Sequence, residues 1–197
     1  MKISNDEYFI KELNTTLKNG GIIAFVTDTV WGIGCLPNNK DAVEKIYQIK
    51  KRDYSKPLIL MSNNKENLYP YITNVSTKAK EIMEKYFPGA LTLIFDSSEK
   101  TQKFVTANKS TVGIRVPDNN VFQRLCEKID GHVLATTSAN ISGEPPALTY
   151  KSAFETLHNF VDIILENEED MAKGEPSTVA QITDNKTLIF RQGSVNI

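Results

Sequence analysis

Cysteine, histidine and tryptophan are scarce in this chain of 197 residues: two, two and one. Cys35 and Cys126 lie far apart and show no metal-ligand spacing, which fits a reducing compartment better than a disulfide framework. With only His132 and His158, neither a zinc site nor a histidine-centred triad can be drawn. No apolar run approaches the roughly 18 residues of a membrane span, and residues 1–18 hold no apolar core of a signal peptide. The expectation is a cytoplasmic protein. A charge excess is also missing: 23 Lys and Arg against 24 Asp and Glu leave a net charge of -1. A chain that holds nucleic acid mainly by charge is more strongly basic, so such a role needs a local patch. Several motifs are absent as well. There is no G-x-x-x-x-G-K-[ST], Gly32-Ile33-Gly34 is not completed to G-x-G-x-x-G, and no G-x-S-x-G, H-E-x-x-H or kinase signature occurs.

What is present is an ordinary soluble composition, 40% hydrophobic and 24% charged. The length suits one domain, taken as 1–197, able to bury a core without disulfide or metal. Helices are expected at about 5–19, 41–51, 76–87, 119–129 and 150–160. The first has Ser4 and Glu7 as a capping box, then Phe9, Ile10, Leu13 and Leu17 on one face. Strands are expected at 22–26, 58–61, 91–95, 111–116, 133–138 and 161–165, with 177–182 and 187–191 paired. An acidic loop is expected at 166–170. Helices and strands interleave, so the fold class is α/β with a mixed sheet.

The stretch 21–34, GIIAFVTDTVWGIG, reads as a buried strand delivering Thr27, Asp28 and Thr29 at its carboxyl end, where α/β sheets bind ligands. In 111–116 alternation puts Val112, Ile114 and Val116 on one face and Thr111, Gly113 and Arg115 on the other. Arg115 has apolar neighbours, so its guanidinium must find an anion: a ligand carboxylate or a structural Asp or Glu. Leu134, Thr136 and Ser138 share a face. On the helix at 41–51 Lys50 falls on the inward stripe with Val43, Ile46 and Tyr47, either snorkelling or pointing into a site. Arg52 and Lys56 follow in KKRDYSK. Asp28 is a candidate base or metal contact.

Taken together, TDTVWGIG (27–34), KKR (50–52), KPLIL (56–60), PGALTL (88–93), VGIRVP (112–117), TSANISG (137–143), PSTV (176–179) and FRQG (190–193) resemble the YrdC/TsaC family of threonylcarbamoyl-AMP synthases. The resemblance implies a twisted sheet with a large concave pocket. It implies that L-threonine, bicarbonate and ATP give threonylcarbamoyl-adenylate and pyrophosphate. A tRNA threonylcarbamoyl transferase complex would then modify tRNAs reading ANN codons. By the same resemblance Thr29, Arg115, Thr136 and Ser177 would bind threonine, with Arg115 on its carboxylate. Lys50, Arg52, Ser138 and Asn140 form the catalytic K-x-R…S-x-N set near the triphosphate. Lys56, Thr111 and Arg191 would complete the ATP site. Mg²⁺ is expected with ATP, and no protein metal ligand is assigned.

The chain departs from the family at three positions. Trp31 replaces the usual Tyr, Lys51 stands where many members have Gly, and Met61 stands where long-form members carry a His that touches threonine. The chain ends soon after FRQG, so the resemblance is to the short form. The alternatives are an RNA-binding module, favoured by salt-dependent RNA affinity without ATP, and a YrdC-like paralogue without synthase activity. The complete K-x-R…S-x-N set speaks for the synthase.

Overall fold

The computed structural model describes residues 1–166 and 172–197. The acidic loop expected at 166–170 falls, beyond Glu166, outside the described residues. The helices are α1 (Glu7–Lys18), α2 (Lys40–Lys50), α3 (Thr77–Tyr86), α4 (Asn120–Lys128) and α5 (Tyr150–Leu157). The strands are β1 (Ile23–Phe25), β2 (Gly32–Cys35), β3 (Ile59–Ser62), β4 (Ile72–Thr73), β5 (Leu91–Ser97), β6 (Thr111–Arg115), β7 (Val133–Ser138), β8 (Ile163–Ile164), β9 (Thr178–Ile182) and β10 (Thr187–Arg191). They form one sheet in the order β10-β9-β5-β6-β3-β7-β2-β1-β8, with β4 on β5. Parallel pairs (β1 with β8, β3 with β6, β5 with β9) stand among antiparallel ones, so the sheet is mixed. No helix among the described residues is long and apolar enough to cross a membrane.

Two expectations need correction. Asp6 rather than Ser4 caps α1: its carboxylate accepts from the Tyr8 N–H at 3.1 Å, while Ser4 Oγ accepts from the Asp6 N–H. The cap belongs to the residue directly before the first turn. Gly32–Cys35, which received no strand of its own among the expected strands, forms one between β1 and β7. Its two glycines carry no side chain toward one face, so the usual apolar alternation is hidden.

The sheet's two faces are treated differently. One buries Ala24, Ile33, Leu60, Leu93, Ile114 and Ala135 against α2, α3 and α5, forming the larger core. The other face has a smaller core, where Phe9, Leu13 and Leu17 of α1 and Phe122, Leu125 and Cys126 of α4 cover Ile23, Phe25, Met61 and Leu134. Burying a side chain such as Phe122 or Leu125 contributes roughly 1.5–3 kcal/mol. α1 and α4 cover only part of that face. Three strands, β3, β7 and β2, lie between β6 and β1 in the sheet order, yet the loop after β1 touches β6 directly through Thr29 and Arg115. The sheet therefore curls, and its uncovered part becomes concave.

Candidate active site

The concave part is a hollow of about 700 Å³, within the size range of small-molecule sites. Its floor uses the residues that alternate away from the main core: Ile59 and Met61 of β3, Thr92 and Ile94 of β5, Thr111, Gly113 and Arg115 of β6, Thr136 and Ser138 of β7. Val179, Gln181, Phe190 and Arg191 of the β9–β10 pair close one side, and Thr27, Thr29 and Trp31 another. Gly113 keeps the floor low. A Cβ there would stand 2.9 Å from Ile59 Cγ2 and 3.3 Å from Thr92 Cγ2.

The lining carries four cations, Arg52, Lys109, Arg115 and Arg191, and no carboxylate among the described residues. Of the four, only Arg115 has an ion pair among the described residues. A hollow with low-dielectric walls and charges of one sign concentrates an anionic ligand.

Arg115 is 3% exposed. Its Nη2 donates to Asp28 Oδ1 at 2.5 Å, its Nη1 to Thr29 Oγ1 at 2.8 Å and its Nε to the Gly89 carbonyl at 3.0 Å. Burial pushes this guanidinium down from its ordinary value, and Asp28 opposes the shift. Asp28, considered as a base or metal contact, is thus committed to Arg115 and is absent from the lining. Because a guanidinium has five N–H donors, one N–H on each terminal nitrogen has no bond to a described residue. Two such donors fit a carboxylate.

Arg191 stands beside this group. It donates from Nε to the Ser177 carbonyl at 3.0 Å and from Nη2 to Ser177 Oγ at 3.1 Å. Ser177 Oγ in turn shares a 2.9 Å hydrogen bond with Thr92 Oγ1. Close behind, Gly193 N–H donates to Thr178 Oγ1 at 3.0 Å, and a Cβ on Gly193 would meet the Pro176 carbonyl at 2.0 Å. Only glycine lets the FRQG segment lie this near the backbone that carries Ser177.

The strand registers separate two ends of the hollow. Ile59 pairs with Gly113 and Thr136, so two residues further along the sheet Pro57, Thr111 and Ser138 share a level. At the opposite end Met61 pairs with Arg115 and Leu134. Thr111 and Arg115 are four residues apart on one strand, about 13 Å. Arg52 belongs to the first end. It is anchored by hydrogen bonds from Nε to the Lys56 carbonyl and from Nη2 to the Pro57 carbonyl, both at 3.1 Å.

Of the predicted site residues, Thr29, Arg52, Thr111, Arg115, Thr136, Ser138, Ser177 and Arg191 come together in the lining, whereas Lys50, Lys56 and Asn140 do not line it. Lys56 is exposed, and its carbonyl, not its ammonium, anchors Arg52. Lys50 does not snorkel. It is fully buried behind Ser138 and donates to the Ser138 carbonyl, to the Asn140 carbonyl at 2.7 Å and to Asn140 Oδ1 at 2.8 Å. Asn140 Oδ1 also accepts from Ser138 Oγ at 2.6 Å. Burial and the neighbouring Arg52 charge push the Lys50 ammonium down to about 7, while three oxygen acceptors favour its protonated form.

The departures have structural counterparts. Lys51 caps α2 with φ of 48°, a left-handed backbone that suits glycine. Met61 is a floor residue. Trp31 is fully buried, and its indole N–H has no partner among the described residues. Sequence reasoning missed Lys109, Thr92 and Gln181 in the lining. Alternation of Leu91, Leu93 and Phe95 against Thr92 and Ile94 would have found Thr92, but nothing local marks Lys109.

The Sua5/YciO/YrdC family model, which carries the description "Telomere recombination", matches residues 15–193. A protein of Vibrio campbellii named threonylcarbamoyl-AMP synthase is 34% identical over 194 residues, 97% of this chain and 100% of that protein. The crystal structure of P. abyssi Sua5 complexed with L-threonine superposes with a TM-score of 0.88 at 27% identity, covering 98% of this chain. This chain spans 56% of that Sua5 chain, a little over half its length. E. coli YciO superposes with a TM-score of 0.86 at 25% identity, covering 99% of this chain and 94% of YciO.

Proposed function

The chain belongs to the Sua5/YciO/YrdC family, and from that premise we propose that it is an L-threonylcarbamoyl-AMP synthase, a nucleotidyltransferase that consumes L-threonine, bicarbonate and ATP and releases pyrophosphate. The observation that carries the reading is the charge pattern of the hollow. Four cations and a series of hydroxyls face it, no described carboxylate does, and Arg115, the one of the four with an ion pair among the described residues, keeps two N–H groups that bond to none of them. That pattern suits an anionic nucleotide lying beside a carboxylate.

In this reading threonine's carboxylate takes the free N–H groups of Arg115, and its polar groups find the hydroxyls of Thr29, Thr136 and Ser177. The amine adds to CO₂ derived from bicarbonate, giving a carbamate. A carbamate oxygen attacks the α-phosphorus of ATP, the α–β bridging P–O bond breaks, and pyrophosphate leaves with the electron pair. No protein nucleophile is required. Catalysis is positioning plus stabilisation of phosphate charge. Arg52, Thr111 and Ser138 would face the phosphates, with Arg191 beside the nucleotide. Lys50 would act from behind by holding the turn of Ser138 and Asn140, and Lys56 by anchoring Arg52 through its carbonyl. Mg²⁺ would arrive on the ATP phosphates, since the described lining offers hydroxyls but no carboxylate. The product would pass to a tRNA threonylcarbamoyl transferase complex in the cytoplasm.

Pyrophosphate release with ATP, bicarbonate and each of the twenty amino acids tests this. Threonine should be strongly preferred and bicarbonate required. Release that ignores the amino acid would reject the assignment.

A further inference from the structure

We propose that Lys109 is a further ATP-contacting residue, gripping the departing pyrophosphate together with Arg52. The inference rests on the synthase reading above and deepens it. Lys109 is the one lysine in the described lining. Lys51, Lys56, Lys100 and Lys103 belong to the neighbouring loops and do not reach it. It is exposed and has no ion pair among the described residues, so its charge is free for a ligand. It lies two residues before Thr111, at the end of the hollow where Thr111, Pro57 and Ser138 share a level and Arg52 is anchored.

The loop that carries it is built rather than loose. Thr101 Oγ1 donates to the Tyr71 carbonyl at 2.6 Å, Ser97 Oγ to the Ser110 carbonyl at 3.0 Å and Asn108 N–H to the Lys103 carbonyl at 2.8 Å. The Leu58 N–H donates to the Val105 carbonyl at 2.9 Å, tying the loop to the segment that holds Arg52. Ala107 and Asn108 both take left-handed backbone, φ 53° and 62°, turning the chain back just before Lys109. Two cations thus approach the same end from two loops joined by a backbone bond. With Arg115 assigned to the amino acid about 13 Å away, this end is left for the outer phosphates of ATP.

The test combines kinetics with a binding readout that needs no turnover. Trp31 is the single tryptophan of the chain and lines the hollow, so its fluorescence can report inorganic pyrophosphate or Mg-ATP. Lys109→Ala should raise the KM for ATP and weaken pyrophosphate binding each about tenfold, with the KM for threonine unchanged. Lys109→Arg should stay within about threefold of wild type, and Lys103→Ala should behave as wild type. An ATP KM and pyrophosphate Kd within twofold of wild type in Lys109→Ala, while Arg52→Ala shifts both, would overturn the proposal. If wild type binds ATP but releases no pyrophosphate with threonine, the synthase reading falls, and the ratio of pyrophosphate Kd values still decides Lys109.

Discussion

Replacing Arg115 by Met removes the guanidinium but keeps much of the volume, and two losses with different signatures follow. The first is in stability. Arg115 and Asp28 form a 2.5 Å ion pair with side chains 3% and 6% exposed. Breaking a buried pair from one side leaves an uncompensated charge, at a cost of about 3–5 kcal/mol. At about 2–4 °C per kcal/mol for a domain of this size, the melting temperature should fall by about 10 °C. The second loss is in binding. Two charge-assisted hydrogen bonds to the threonine carboxylate, at about 1.5–3 kcal/mol each, imply at least a 100-fold rise in the KM for threonine. The double variant Arg115→Met with Asp28→Asn separates the two. With the stranded carboxylate neutralised, it should recover at least half of the lost stability while the threonine KM stays raised. Thermal melts by circular dichroism and pyrophosphate release against threonine concentration read both. A double variant whose threonine KM returns to the wild-type value would refute the carboxylate role. A single variant that melts within 2 °C of wild type would refute the buried-pair argument.

Arg52→Ala should slow pyrophosphate release by about 3 kcal/mol in barrier, on the order of 100-fold, in a protein whose far-ultraviolet circular dichroism is unchanged; near-normal turnover would remove Arg52 from the phosphate site. For Lys50, whose folded value of about 7 lies below its ordinary 10.5, the unfolded chain binds the proton more readily between those values. Its burial penalty is therefore full below pH 7 and is relieved as pH rises through that window. The stability of wild type relative to Lys50→Met, from urea melts, should increase between pH 7 and 9 by up to about 1.4 kcal/mol per unit, and a flat difference would contradict the burial argument. Lys51→Gly should raise stability by about 1 kcal/mol, since it relieves the left-handed cap, with the KM for ATP unaltered; a loss of stability would show that the lysine side chain matters more than its backbone. Burial pushes the Cys35 thiol up to about 12 and the Cys126 thiol up further, so iodoacetamide at pH 8 should label neither until the protein is unfolded, as mass spectrometry of the intact chain can check.

The floor of the hollow was legible because strand alternation is local. Thr111, Gly113 and Arg115 on one side, and Thr136 with Ser138, follow from a period of two. The inward position of Lys50 was legible from helical spacing. Alternation cannot say whether a face is covered by a helix or left open, and that alone separates Leu134, under α4, from Thr136, two residues on in the hollow. Nor does it say where a long side chain finds its partners. Lys50 spends its donors on the turn of Ser138 and Asn140, which is 88 residues distant in the chain, and Arg115 takes Asp28 across three strands. Lys109 was invisible because its placement comes from a loop held by backbone bonds to other segments. Gly32–Cys35 was missed because its two glycines remove the alternation of side chains that marks a strand.

In the proposed reaction one concave face joins an amino acid to a nucleotide through the carbon of bicarbonate. Incubation with ATP, L-threonine and ¹³C-bicarbonate, followed by mass spectrometry of the nucleotide fraction, reads that joining directly. An adenylate whose mass contains threonine plus one labelled carbon is the predicted product. Pyrophosphate formed alongside unlabelled AMP, with threonine unconsumed, would contradict it.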